Sequence, residues 1–242
     1  MVPAMSEFLL NLVLAAIPAA ALIGWVLLRD KARPEPPGAV LKAVAFGLLA
    51  AIPAIVVEPF VDLPSEFFPR PLDAAWRAFA VAALVEEGLK FALVKLWIFR
   101  SKNFDEAMDG IVYTMCVSLG FAFVENALYG YADRWILLVR AFTAVPMHAA
   151  AAGLMGWRLG LARVERDRDP ALARRHAFAG LGLAVLVHGL YDFAVFAGPA
   201  SAWAAPLVVV AAWMALVRRI RQAIDLDRAR GVTPGPGGDA LP

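Results

Sequence analysis

Residues 82–94 read "AALVEEGLKFALV", and they place Glu86, Glu87 and Lys90 inside an otherwise apolar run. Each charge in the middle of a bilayer costs roughly 2.5–3.5 kcal/mol on insertion scales. A span that keeps three such groups uses them, because a passive span has no reason to carry the cost. The setting is a membrane chain. Of its 242 residues, 61% are hydrophobic, where a soluble domain has about 45–50%, and the mean hydropathy is +0.67. The net charge of +2 gives no case for a nucleic-acid partner. The lone Cys116 excludes an intramolecular disulfide and a CxxC metal site, and reads as a small buried hydrophobe.

Apolar runs bounded by charged or Pro/Gly-rich breaks predict seven spans, at about 6–28, 38–59, 74–99, 109–130, 135–160, 177–197 and 201–217. Each is close to the ~20 residues that cross a ~30 Å hydrocarbon core. Spans in lipid are helical, since no solvent is there to satisfy an open backbone. The first lacks a basic leader and is as long as a full span, so it reads as retained rather than as a signal peptide. Basic residues concentrate in alternate connections: "RDKARPEPPG" (29–38), "RSKNFDEAMD" (100–109), "RLGLARVERDRDPALARR" (158–175) with its six arginines, and "RRIRQAIDLDRAR" (218–230). Positive residues face the cytoplasm. The expected fold is therefore an all-α polytopic bundle in the plasma (inner) membrane, N-terminus outside and C-terminus cytoplasmic. Residues 1–217 form one transmembrane domain, and residues 218–242 a basic segment with a Pro/Gly-rich disordered tail. The GxxxG pattern in "GWRLG" (156–160) lies near a span end and carries little weight.

Ionisable groups recur in four spans: Glu86, Glu87, Lys90 and Lys95; then Glu125 beside Asn126 and Tyr129; then Arg140 and His148; then His188 and Asp192. Glu86/Lys90, Glu125/Tyr129 and His188/Asp192 are i,i+4 pairs and Glu87/Lys90 is i,i+3, so each set shares a helix face. At 1.5 Å per residue, Glu86 lies ~21 Å from the basic end of its span, Glu125 ~24 Å, His148 ~15–22 Å, and His188 and Asp192 ~18 and ~24 Å. Four spans thus supply one layer. A carboxylate there can act as general base on water, a histidine can donate to the oxyanion that forms at a carbonyl, and an aspartate one turn away can orient that histidine. The same histidines and carboxylates are acceptable zinc ligands, although no HExxH is present. Other readings stand beside these. Glu86–Lys90 can be an ion pair that only sets helix register. Asn126 and Tyr129 can be interhelical glue. Lys95 can snorkel to one face and Arg140 to the other. Glu58 and His176 read as flanking groups, and Ser118 as a hydroxyl satisfied on its own helix. Proton- or cation-coupled transport is the non-enzymatic alternative, with Pro146 beside His148 as its one supporting feature.

Three motifs then give a resemblance. "EEGLK" (86–90) resembles the EExxK motif of the PrsW family of glutamic-type intramembrane proteases. "FAFVEN" (121–126) resembles its FxxxE motif through Phe121 and Glu125, and "HGLYD" (188–192) resembles HxxxD. The resemblance runs over about 76–197. The related CAAX-protease and bacteriocin-processing superfamily carries EExxxR, FxxxH and HxxxN/D. The spacing to Lys90 and the glutamate at 125 depart from that pattern, match the PrsW branch, and point away from prenylated-CAAX processing. The resemblance implies that Glu86 and Glu87 activate water, that His188 helps stabilise the oxyanion, and that Glu125 and Asp192 complete the site. Lys90, Asn126, His148 and Tyr129 stand as supporting residues, with His148 resting on depth alone. Between the two glutamates, Glu86 is favoured as the base, with Glu87 paired to Lys90. The resemblance further implies no required cofactor, zinc being the alternative, and a membrane-anchored protein substrate such as an anti-sigma factor.

Overall fold

The computed structural model describes residues 5–30 and 33–231, so the expected disordered tail from 232 onward lies outside the described residues. Among those described the fold is all helical, with no strand. In chain order the helices are α1 (Met5–Leu27), α2 (Pro37–Asp62), α3 (Leu72–Trp76), α4 (Leu84–Leu93), α5 (Ala107–Ala132), α6 (Arg134–Phe142), α7 (Ala144–Glu165), α8 (Pro170–Phe196), α9 (Pro199–Ala202) and α10 (Ala205–Ala229). Six helical stretches are long and apolar enough to cross a membrane. The stretch expected as a third span is also one continuous helical run. Here α3 and α4 are joined by a π-helical segment, Arg77–Ala83, and α4 continues into a second one, Val94–Ile98. Its charges, not its length, set it apart from the other six.

Two differences from the hydropathy reading have a common cause. The stretch 158–175 reads as a loop, yet α7 runs on to Glu165 and α8 starts at Pro170. Likewise "RRIRQAIDLDRAR" continues α10. Hydropathy marks the lipid-soluble part of a helix, whereas the backbone goes on satisfying its own hydrogen bonds beyond it. The turn between α7 and α8 closes with Asp169, whose side chain accepts from the Ala171 and Leu172 N–H groups ahead of Pro170 at the first helical position.

Helix α5 is the axis of the bundle. Its apolar stretch is 89% buried, against 22% for α1, and it packs on α1, α2 and α7. Close approach needs small residues. A Cβ built at Gly156 would overlap the Gly110 carbonyl, and one at Gly160 would overlap the Ala107 carbonyl. The GxxxG pattern, given little weight from sequence, is therefore the α5–α7 contact. The start of α5 is anchored by a capping box between Glu106 and Asp109. Asp227 of α10 adds to it, accepting from the Ala107 and Met108 N–H groups at 2.9 and 3.0 Å. Burial, then the charges of Asp109, Glu106 and Asp227, push the nearby Asp30 carboxyl up to about 8, so this crowd of acids holds Asp30 neutral at pH 7.

We expect Gly156→Ala to destabilise the protein by about 1–3 kcal/mol through overpacking against the α5 backbone. Gly182→Ala, where nothing lies within 4 Å of the new Cβ, should be neutral or slightly stabilising. Thermal unfolding in detergent compares the two, and equal melting temperatures would contradict the packing argument.

Candidate active site

Glu86 and Glu87 stand in the first turn of α4, directly after the π-helical segment. Such widened turns are uncommon and often mark functional positions. Lys90, one turn on, is completely buried. Its ammonium donates to Glu87 Oε1 at 2.8 Å, to Glu86 Oε2 at 3.1 Å and to His148 Nδ1 at 3.2 Å. The Phe121 ring covers it, 4.0 Å from the ring centroid. Phe121 and Glu125 of the second motif thus have separate tasks, and Phe121 faces the lysine.

His148 accepts from an ammonium on Nδ1, so its proton sits on Nε2 and donates to Glu125 Oε2 at 2.8 Å. Glu125 Oε1 pairs with Arg140 Nη2 at 2.6 Å, and the guanidinium lies 4.0 Å over the Tyr129 ring. His188 meets carboxylates on both nitrogens, Glu87 Oε1 on Nδ1 at 3.0 Å and Asp192 Oδ2 on Nε2 at 3.1 Å. The two imidazoles pack edge to face, 4.9 Å apart.

All five candidate catalytic residues therefore fall in one network, with Lys90 and His148 inside it and Tyr129 at its edge. Asn126 does not join. It is buried, and its side-chain amide finds no partner among the described residues. Ser118 bonds not its own helix but the His148 carbonyl of α7, at 3.1 Å. Arg140 does not snorkel outward as expected. No local spacing signals this, because Arg140 on α6 and His148 on α7 are on separate helices and meet Glu125 of α5 only in the tertiary fold. The chain does break there, between α6 and α7 at Thr143, with Pro146 in the first turn of α7, where its missing N–H costs no helical bond.

A cavity of about 550 Å³ opens onto this network. Its polar lining includes the carboxyl groups of Glu58, Glu86, Glu125 and Asp192 and the guanidinium groups of Arg77 and Arg140, and Val139, Val195 and Phe196 are part of its apolar wall. Glu87 and Lys90 do not reach it. Glu58, read as an interface residue, faces the same space as Glu86. The cavity also reaches Asp62 and Trp135, at the end of the bundle opposite the arginine-rich α7–α8 turn.

Four of these side chains, Glu86, Glu87, His148 and His188, offer ligand atoms within 4.8 Å of one another, a donor set of suitable type for zinc. The fit fails on Lys90. Its ammonium lies in contact with three of the four residues, in the position a cation would take. An ion cannot enter without expelling it.

A helical membrane bundle with this buried polar network defines a multi-pass membrane protein with a polar site among its helices. Residues 35–217 match the family described as "PrsW family intramembrane metalloprotease", and the chain belongs to that family. It is 33% identical over 218 residues to "Protease PrsW" of Geobacillus kaustophilus, covering 90% of this chain and 93% of the relative. It is 33% identical over 187 residues to "Protease PrsW" of Shouchella clausii, covering 76% and 83%. The protein of that name from Bacillus subtilis is 33% identical over 184 residues, covering 73% and 78%. No solved structure matches the chain. The protein is thus a peptidase acting on a protein in the membrane, and the transport reading is not favoured.

Glu125 and Arg140 are partly exposed at the cavity, so removing one partner costs less than the about 3–5 kcal/mol of a fully buried pair. Arg140→Gln should therefore lower stability measurably, and Glu125→Gln added to it should recover part of the loss. Melting temperatures of the two single variants and the double variant in nanodiscs form the cycle, and strictly additive losses would show that the pair is not coupled.

Proposed function

We propose that the protein cleaves a peptide bond of a membrane-anchored protein with Glu86 as general base on water, without a metal ion. The observation that carries this is the division of labour between adjacent carboxylates. Both contact Lys90, but Glu86 alone opens onto the cavity, while Glu87 is sealed behind it between Lys90 and His188. Adjacent helical residues point ~100° apart, which is the source of that difference.

In the reaction, Glu86 takes a proton from water as the water oxygen bonds to the scissile carbonyl carbon. The carbonyl oxygen becomes the oxyanion. His188 meets it through Nε2–H only by giving up Asp192, so its contribution is the charge and orientation that Glu87 and Asp192 impose on the ring. Arg140 lines the cavity and holds Glu125 through one nitrogen. The guanidinium has five N–H donors, and one of those left over at the cavity would meet the developing charge. As the C–N bond breaks, Glu86 returns its proton to the leaving nitrogen, giving an acid and an amine. Lys90 keeps the two glutamates together before water binds. The apolar wall suits a helical substrate unwound near one end of the bilayer, and a membrane-anchored anti-sigma factor is the first candidate.

Glu86→Gln should lower turnover by about 10²–10⁴-fold with the fold intact, the usual worth of a general base. It is read from new N-termini in membrane-protein fragments of cells expressing each form, and full activity would overturn the assignment. Wild type should keep its activity in phenanthroline and purify without stoichiometric zinc. Lys90→Ala should lose activity and, with Glu86, Glu87 and His148 freed, retain zinc by elemental analysis. A chelator-sensitive, zinc-loaded wild type would restore the metal reading.

A further inference from the structure

A second cavity, of about 260 Å³, lies at the opposite end of the bundle from the active-site mouth, where the helical run ending at Ile98 meets α7 and α8. Lys95, Arg100, Arg166 and Arg174 all line it, and no carboxylate does. None of the four is in an ion pair among the described residues. Glu165 and Asp167 flank Arg166 in sequence, yet neither lines the cavity or pairs with its cations among the described residues, and Asp169 is committed to capping α8. Four cations around one cavity with no acid in its wall repel one another, and an anion relieves them.

The surroundings say which anion. Phe91 lies one helical turn from Lys95 toward the bilayer centre, and Phe178 lies one turn from Arg174 in the same direction. Their rings meet at 5.9 Å across the groove between the two helices. Phe178 is 63% exposed, and Leu96, which lines the cavity itself, is 54% exposed. A basic cavity thus sits beside exposed apolar side chains, one helical turn nearer the middle of the spans. A soluble anion uses only the first feature, whereas a phospholipid uses both, phosphate among the cations and acyl chain along the aromatics.

We propose that this cavity binds the phosphate of an anionic phospholipid, with an acyl chain lying along the Phe91–Phe178 groove. The lipid bridges the helix that carries Glu86 and Glu87 to the helix that carries His188 and Asp192. Lys95 lies nine residues from Glu86, ~14 Å along the helix, and Arg174 lies fourteen from His188, ~21 Å. Holding the two ends together supports the Glu87–His188 contact deeper in the bundle. The binding claim stands apart from the catalytic reading, since it is read without turnover.

The test uses the delipidated full chain in neutral detergent. Native mass spectrometry and thermal unfolding are followed with phosphatidylglycerol, phosphatidylcholine or sodium phosphate added at equal phosphate. We expect discrete phosphatidylglycerol adducts and a melting temperature raised by about 3 °C or more, with little change from phosphatidylcholine or sodium phosphate. Arg166→Gln with Arg174→Gln should lose the shift, Arg166→Lys with Arg174→Lys should keep most of it, and Arg218→Gln with Arg219→Gln, outside the cavity, should keep it whole. Equal shifts from the two lipids, or from the glutamine pair and wild type, would overturn the proposal. An equal shift from sodium phosphate alone would overturn the lipid assignment in favour of a soluble anion.

Discussion

A fully buried ammonium, that of Lys90, is the interaction on which the rest depends. Left alone in the bundle it would cost several kcal/mol. Two carboxylates, an imidazole nitrogen and an aromatic face surround it instead. Those partners come from α4, α5 and α7, and Glu87 carries the contact on to His188 of α8. One lysine therefore ties four helices at a single depth. It lets Glu86 and Glu87 stand side by side without mutual repulsion, and it occupies the place a metal ion would need. Structure, electrostatics and the choice of chemistry meet in that one group.

Around it the bundle is arranged in two shells of different polarity. Glu87, Lys90 and His148 are closed off from the cavity, whereas Glu86, Glu125, Arg140 and Asp192 line it. The inner set is held by contacts between helices, and the outer set faces the open cavity. The interruption of the helix at Thr143 contributes directly. Arg140 comes from α6 and His148 from α7, and both reach Glu125 from either side of the break. Close packing of α5 on α7 through Gly110, Gly156 and Gly160 brings Glu125 and His148 within reach of each other.

The two ends of the bundle differ. One opens a cavity onto the buried network, lined by acids, two arginines and an apolar wall. The other holds a cavity lined by Lys95, Arg100, Arg166 and Arg174, none of them in an ion pair among the described residues, while at the start of α5 a separate group of acids gathers and Asp227 pins α10 to the first turn. The buried polar network around Lys90 sits between them.

The sequence by itself determined the membrane class, the approximate span positions and the contacts within single helices. Glu86–Lys90, Glu87–Lys90 and His188–Asp192 were legible because 3.6 residues per turn place them together in any helix. The three motifs likewise pointed to the family that the comparison then established. Tertiary structure alone decided which helix faces which. Lys90 with His148, Glu125 with Arg140, Glu87 with His188 and Ser118 with the His148 carbonyl are all contacts between helices, and so depend on rotation and crossing angle that no local pattern encodes. Arg140 was misread for that reason, since an arginine near a span end snorkels unless a carboxylate from another helix meets it. The GxxxG pattern was undervalued likewise, because small residues matter only once a second backbone lies against them. Helix ends beyond the bilayer were missed because hydropathy reports solubility in lipid, while the backbone hydrogen bonds that continue a helix do not depend on it.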